Sequence, residues 1–169
     1  MNESEQKIQD ALLAFVDFLY AVVFGLVLVK LFEHEITVNV GVQVKVGKVL
    51  LVIGVFYFIA WDWMHGRLLT FRNPYTGYRR FFIEILIAAS GYGAARAALN
   101  SDPAFLLYLA TILVLGAWWA QVTIQETRAS ADEVELRFIR IYQILVVIPV
   151  LLLHRALKDW FGTELEWWA

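Results

Sequence analysis

The sequence predicts an all-α integral membrane protein, a bundle of four to five transmembrane helices with a short extracytoplasmic β-hairpin or strand between the first two. Three observations predict it. Hydrophobic residues make up 60% of the 169 and charged residues only 18%, more apolar sequence than a soluble core of this length needs. Apolar stretches recur that approach or reach the ~20 residues required to cross a bilayer. One connection alternates strictly in residue type, which is strand patterning. No shift in composition divides the chain, so residues 1–169 read as one polytopic membrane domain.

Composition also excludes. With no cysteine, disulfides, thiolate catalysis and Cys-ligated metals are ruled out. A net charge of −2 provides no basic face for nucleic acid. The polar start, Met1 to Lys7, lacks a cleavable signal pattern, and the first span is expected to act as its own uncleaved insertion signal.

The first helix covers about 11–32, an apolar run broken by Asp17, and the second about 46–64. The third covers about 81–99 and the fourth about 103–124. Between them Asn100, Ser101, Asp102 and Pro103 read as a tight turn, with Asp102 as N-cap and Pro103 in the first helical position. The fifth segment, 138–158, holds Arg140 near its start and Pro149 inside it. It either spans or lies in the interface, and its core 144–148, which has no polar face, favours spanning.

Residues 36–46 set Ile36, Val38, Val40, Val42, Val44 and Val46 against Thr37, Asn39, Gly41, Gln43 and Lys45. A lone strand leaves its ladder groups unpaired. The segment is therefore expected to turn back as a hairpin near 39–41, to pair with a neighbouring protomer, or to pack on another subunit.

Orientation follows from the basic residues. The connection 65–80 holds Arg67, Arg72, Arg79 and Arg80 with no acid, which predicts a cytoplasmic location, a cytoplasmic N-terminus and insertion in the cell membrane. The connection 125–137, with Arg128 and Arg137, then lies inside as well.

At that orientation Asp17, Asp62, His65, Glu84 and Arg140, from four different segments, fall at similar depth. Charges inside a membrane face partners, cavities or pathways. The group reads either as ion-paired clamps that fix helix order or as part of a conduction or proton-relay path. Catalysis is not expected. There is no metalloprotease, nucleophile-elbow or phosphate-loop motif, and His34, His65 and His154 are far apart. Asp62 and His65 share a helix face at i, i+3, which suggests a hydrogen-bonded pair rather than a metal site.

The first helix carries a stripe of small and acidic residues, Asp10, Ala14, Asp17, Ala21 and Gly25, with Leu28 the first bulky residue on that face. Such a stripe admits another helix closely or lines a central passage in an oligomer. Residues 88–98 are almost all small, so the third helix is expected to be the most buried. Arg96 lies towards its outer end, with Glu33, Glu35 and Asp102 as candidate partners. Trp61, Trp63, Trp118 and Trp119 fall towards cytoplasmic helix ends, and Trp160, Trp167 and Trp168 lie in the tail. All suit headgroup anchoring.

The segment 14–28, with Phe15, Val16 and Asp17, resembles the first helix of the transmembrane protein 175 family of potassium-permeable channels, whose signature there is Phe-Ser-Asp. The end of the second helix, Trp61, Asp62, Trp63, Met64 and His65, is similar to that family's tryptophan-then-histidine segment. The resemblance covers these two segments only, with Val16 in place of the serine and Ala21 where the family has a bulky constriction. It implies that Phe15, Asp17 and His65 join a network supporting a pore-lining helix.

These readings converge on a small homo-oligomeric channel-type membrane protein that is not an enzyme and takes no cofactor or metal. Asp10, Ala14, Asp17, Ala21, Gly25 and Leu28 are its candidate pore lining, and monovalent cations and the lipid bilayer its partners. The alternative is a non-catalytic accessory or assembly subunit of a larger membrane complex.

Overall fold

In a computed structural model, residues 3–31, 42–75, 77–127 and 133–163 are described. They form α1 (Glu3–Leu31), α2 (Val42–Arg72), α3 (Tyr78–Leu99), α4 (Phe105–Glu126) and α5 (Glu133–Thr163). Each helix contains a stretch long and apolar enough to cross a membrane, namely Gln6–Val29, Gly47–Arg72, Tyr78–Leu99, Phe105–Glu126 and Glu133–Asp159. By length and composition this is an integral membrane protein, and the fifth segment qualifies with the rest, with Pro149 inside its helix. The 22 residues of α3 and of α4 span about 33 Å, close to the hydrocarbon thickness. The longer α1, α2 and α5 must tilt or project beyond it.

The strand expectation fails where it can be checked. Residues 42–46 open α2 as helix, and no strand occurs among the described residues, while residues 36–41 lie outside them. In a low-dielectric solvent a helix satisfies its own backbone groups, whereas an alternating segment needs a partner strand.

The chain folds around α3, which packs against α1, α2 and α4, while α5 lies along α4. α3 and α4 are buried to the same extent, so α3 shares the central position it was expected to hold alone. α1 turns Val16, Tyr20, Val23 and Val27 into the core, where they join Val52, Val55 and Ile59 of α2 and Ile83 and Ile87 of α3. Small residues on α3 permit this approach. A Cβ on Gly91 would touch Ile59, and one on Gly93 would lie 2.5 Å from the Tyr108 ring.

The α3–α4 turn takes its expected tight form. Asp102 N–H donates to Ala97 O at 2.9 Å and Ser101 N–H to Ala98 O at 3.0 Å, a Schellman closure in which Ser101 takes the left-handed position with φ 54°. The Asp102 carboxylate accepts the Ala104 N–H at 2.8 Å, and α4 starts at Phe105. Asp102 O also accepts the Phe105 N–H at 3.1 Å, so Asp102 caps the irregular first turn as expected, while Pro103 lies in that turn ahead of the regular helix.

Candidate functional site

Polar side chains gather at the end of the bundle where α2 stops and α3 starts. On α2, Trp63 and Arg67 are one turn apart on the same face, and both reach Asp17 on α1. Trp63 Nε1 and Arg67 Nε each donate to Asp17 Oδ1 at 3.0 Å. Arg67 Nη2 also pairs with that oxygen and donates to Leu13 O at 2.8 Å. The Arg67 side chain is 11% exposed and that of Asp17 46%, so the clamp is buried on the α2 side and open on the α1 side.

A second assembly centres on Arg80, whose side chain is fully buried. Its Nε donates to Glu126 Oε2 of α4 at 2.8 Å, and its terminal nitrogens donate to Asn73 O at 2.7 Å and to Pro74 O. The guanidinium lies over the Tyr75 ring at 5.1 Å and the Trp119 ring at 5.9 Å. It thereby satisfies the carbonyls of the turn after α2, which would otherwise be left unpaired. Gln9 of α1 donates to Tyr75 O and holds the same turn from the other side.

Glu84, one turn beyond Arg80, joins these parts. Its carboxylate accepts the Tyr75 hydroxyl at 2.5 Å and the Trp119 indole N–H at 2.8 Å. Burial, followed by the Glu84 charge, holds the Tyr75 phenol well above its ordinary pKa, so Tyr75 stays a neutral donor.

Between these groups lies a cavity of about 50 Å³, lined among others by Asp62, His65, Arg67, Glu84, Trp119 and Gln143. Among the described residues Asp62 has no hydrogen-bond partner. Gln143 Oε1 is buried and accepts no hydrogen bond. No set of three or more His, Asp or Glu residues among the described ones is placed to hold a metal ion.

The five-member network expected from depth therefore divides. Asp62, His65 and Glu84 share the cavity, and Asp17 connects to it through Arg67. Arg140 instead donates to Gln121 of α4, because α5 packs on α4. Phe15 packs on Phe81 at 5.9 Å and does not line the cavity. His65 stacks on Trp61, their planes 7° apart, rather than bonding Asp62. Trp63 and Trp119 act as inward donors rather than headgroup anchors, while Trp61 and Trp118 remain exposed. Side chains of Trp160, Trp167 and Trp168 lie outside the described residues, as do Glu33 and Glu35.

Of the α1 stripe, Asp10, Ala14, Ala21, Gly25 and Leu28 are exposed on the side away from the core. Arg67, Tyr75, Arg80, Trp119, Glu126 and Gln143 complete the polar layer without having been singled out as site residues from sequence. The available signal was Glu84 itself, since an acid in an apolar helix needs donors.

These features define a class, a five-helix membrane protein with a polar layer and cavity near one end. No family model, curated protein or solved structure matches the chain.

Proposed function

We propose that this chain is the subunit of a small homo-oligomeric, channel-type protein of the cell membrane, with α1 lining the symmetry axis and its N-terminus cytoplasmic. One observation carries the reading. α1 buries Val16, Tyr20, Val23 and Val27 in the protomer and leaves bare a stripe of Ala14, Ala21 and Gly25, ending at Leu28 and flanked by exposed Phe18, Val22 and Leu26. A Cβ added at Gly25 would meet nothing within 4 Å. A bare stripe of small residues between bulky ones admits a neighbouring helix closely. The half-exposed Asp17 carboxylate offers an oxygen ligand there, while Arg67 matches its charge and Trp63 holds it from behind. The resemblance around Phe15 and Asp17 makes potassium the first ion to test.

The experiment is reconstitution in nanodiscs to count protomers, followed by potassium and sodium flux into liposomes. The expected result is a closed homo-oligomer with cation flux, reduced by Gly25→Leu. Asp17→Asn retains an acceptor for Trp63, so assembly should persist while conduction falls. A monomer without flux sinks the channel reading, and isolation only within a complex of other subunits supports the accessory-subunit alternative.

A further inference from the structure

The charge balance at the cavity is incomplete. Asp17 faces Arg67 and Glu126 faces Arg80. Glu84 takes two hydrogen-bond donors, with both guanidiniums near enough to act on it. Asp62 has neither kind of support. It lines the cavity deep among protein atoms, and its electrostatic neighbour is Glu84, of like sign.

On α5, the buried Gln143 Oε1 also lacks a donor. Its amide fits against α4 because residue 116 is glycine, where a Cβ would lie 2.5 Å from Gln143 Nε2. Asp62 and Gln143 thus both belong to the lining of the cavity, and the oxygen acceptors of neither meet a donor among the described residues. A carboxylate left this way inside a membrane protein is neutralised either by a proton or by a cation.

We propose that the cavity binds a small monovalent cation of the alkali-metal type, with Asp62 as its counter-charge and Gln143 Oε1 as a neutral ligand. One unmatched carboxylate calls for one positive charge. Oxygen ligands suit hard cations, whereas the His and acid sets used by transition metals are missing among the described residues. At about 50 Å³ the cavity has room for water to complete the ion's shell. The site lies within one protomer and does not depend on how α1 assembles, so cation binding and conduction can fail separately.

The test uses the full chain in nanodiscs, comparing thermal unfolding in sodium, potassium and lithium chloride with N-methylglucamine chloride at equal ionic strength. A bound ion at ten times its Kd multiplies the folded-to-unfolded ratio about elevenfold, so the melting temperature should rise saturably with one or more alkali ions. The rise should vanish in Asp62→Asn, persist in Glu135→Gln, and shrink in Gly116→Ala, which displaces the Gln143 amide. Gly116→Ala and Gln143→Leu keep the test decisive if Asp62→Asn does not fold. Equal stability in alkali and N-methylglucamine salts would overturn the proposal. So would an alkali effect that survives Asp62→Asn, or a site that responds to pH alone.

Discussion

Trp119 donates its indole N–H to Glu84 at 2.8 Å, while Trp118, its neighbour in sequence, faces away from the core with 54% of its surface exposed. Two identical residues thus have different tasks, and substitution should separate them. Trp119→Phe keeps a ring but removes the donor to a buried carboxylate, which should cost about 1–3 kcal/mol. Trp118→Phe should be close to neutral. Thermal unfolding in nanodiscs reads the difference.

Arg80 depends on Glu126 more than on any other group able to carry charge. Glu126→Ala leaves the guanidinium buried without its counter-ion, a loss of about 3–5 kcal/mol. Glu126→Gln retains an acceptor and should cost less. Equal losses in a denaturant titration would show that the charge, not the hydrogen bond, is what Arg80 requires.

Tyr75 introduces a pH dependence. Its proton is held more tightly in the folded chain than in the unfolded one. The associated stabilisation is complete below about pH 10, the unfolded value, and declines as pH rises above it. Tyr75→Phe should lower stability at neutral pH by about 1–2 kcal/mol and flatten the alkaline decline relative to the parent. Parallel declines in the two proteins would exclude Tyr75 as the source.

The spans were legible because a bilayer demands a run of apolar residues whatever they later touch, and acids such as Asp17, Asp62 and Glu84 stand out against that run. Their partners were not legible, because helix rotation decides them. Arg79 and Arg80 read alike in a basic connection, yet Arg80 turns into the core and Arg79 remains exposed. Depth grouped Arg140 with Asp62, but α5 contacts α4, so its guanidinium meets Gln121. Over residues 42–46 the alternating valines belong to a helix, since period-two patterning carries weight only where another strand can pair with it.

Gly93 and Gly25 should respond oppositely to alanine. At Gly93 the methyl collides with the Tyr108 ring, an overpacking cost of about 1–3 kcal/mol. At Gly25 the protomer has open space, so the gain in helix propensity, up to ~1 kcal/mol, should appear as a stabler protomer. If Gly25→Ala also weakens oligomers in size-exclusion or native mass measurements, that face is in contact between copies.

Ser101 occupies a backbone region that favours glycine. Ser101→Gly should relieve the strain and raise stability by up to ~1 kcal/mol, net of the glycine's greater entropy when unfolded. Ser101→Val should do the reverse. Melting temperatures of the two variants check the sign.

The tight turn at residues 100–104 also bears on how the protein enters its membrane. α3 is the least apolar of the five candidate spans, and on its own it would carry Arg80 and Glu84 into lipid at a cost of a few kcal/mol each. Glu126, which pairs with Arg80, and Trp119, which donates to Glu84, both belong to α4, the next segment to be synthesised. A hairpin that closes before either helix leaves the insertion machinery would present lipid with one paired unit instead of two exposed charges. On this view the polar layer is a requirement of biogenesis before it serves any other purpose, and α3 waits for α4 to be made.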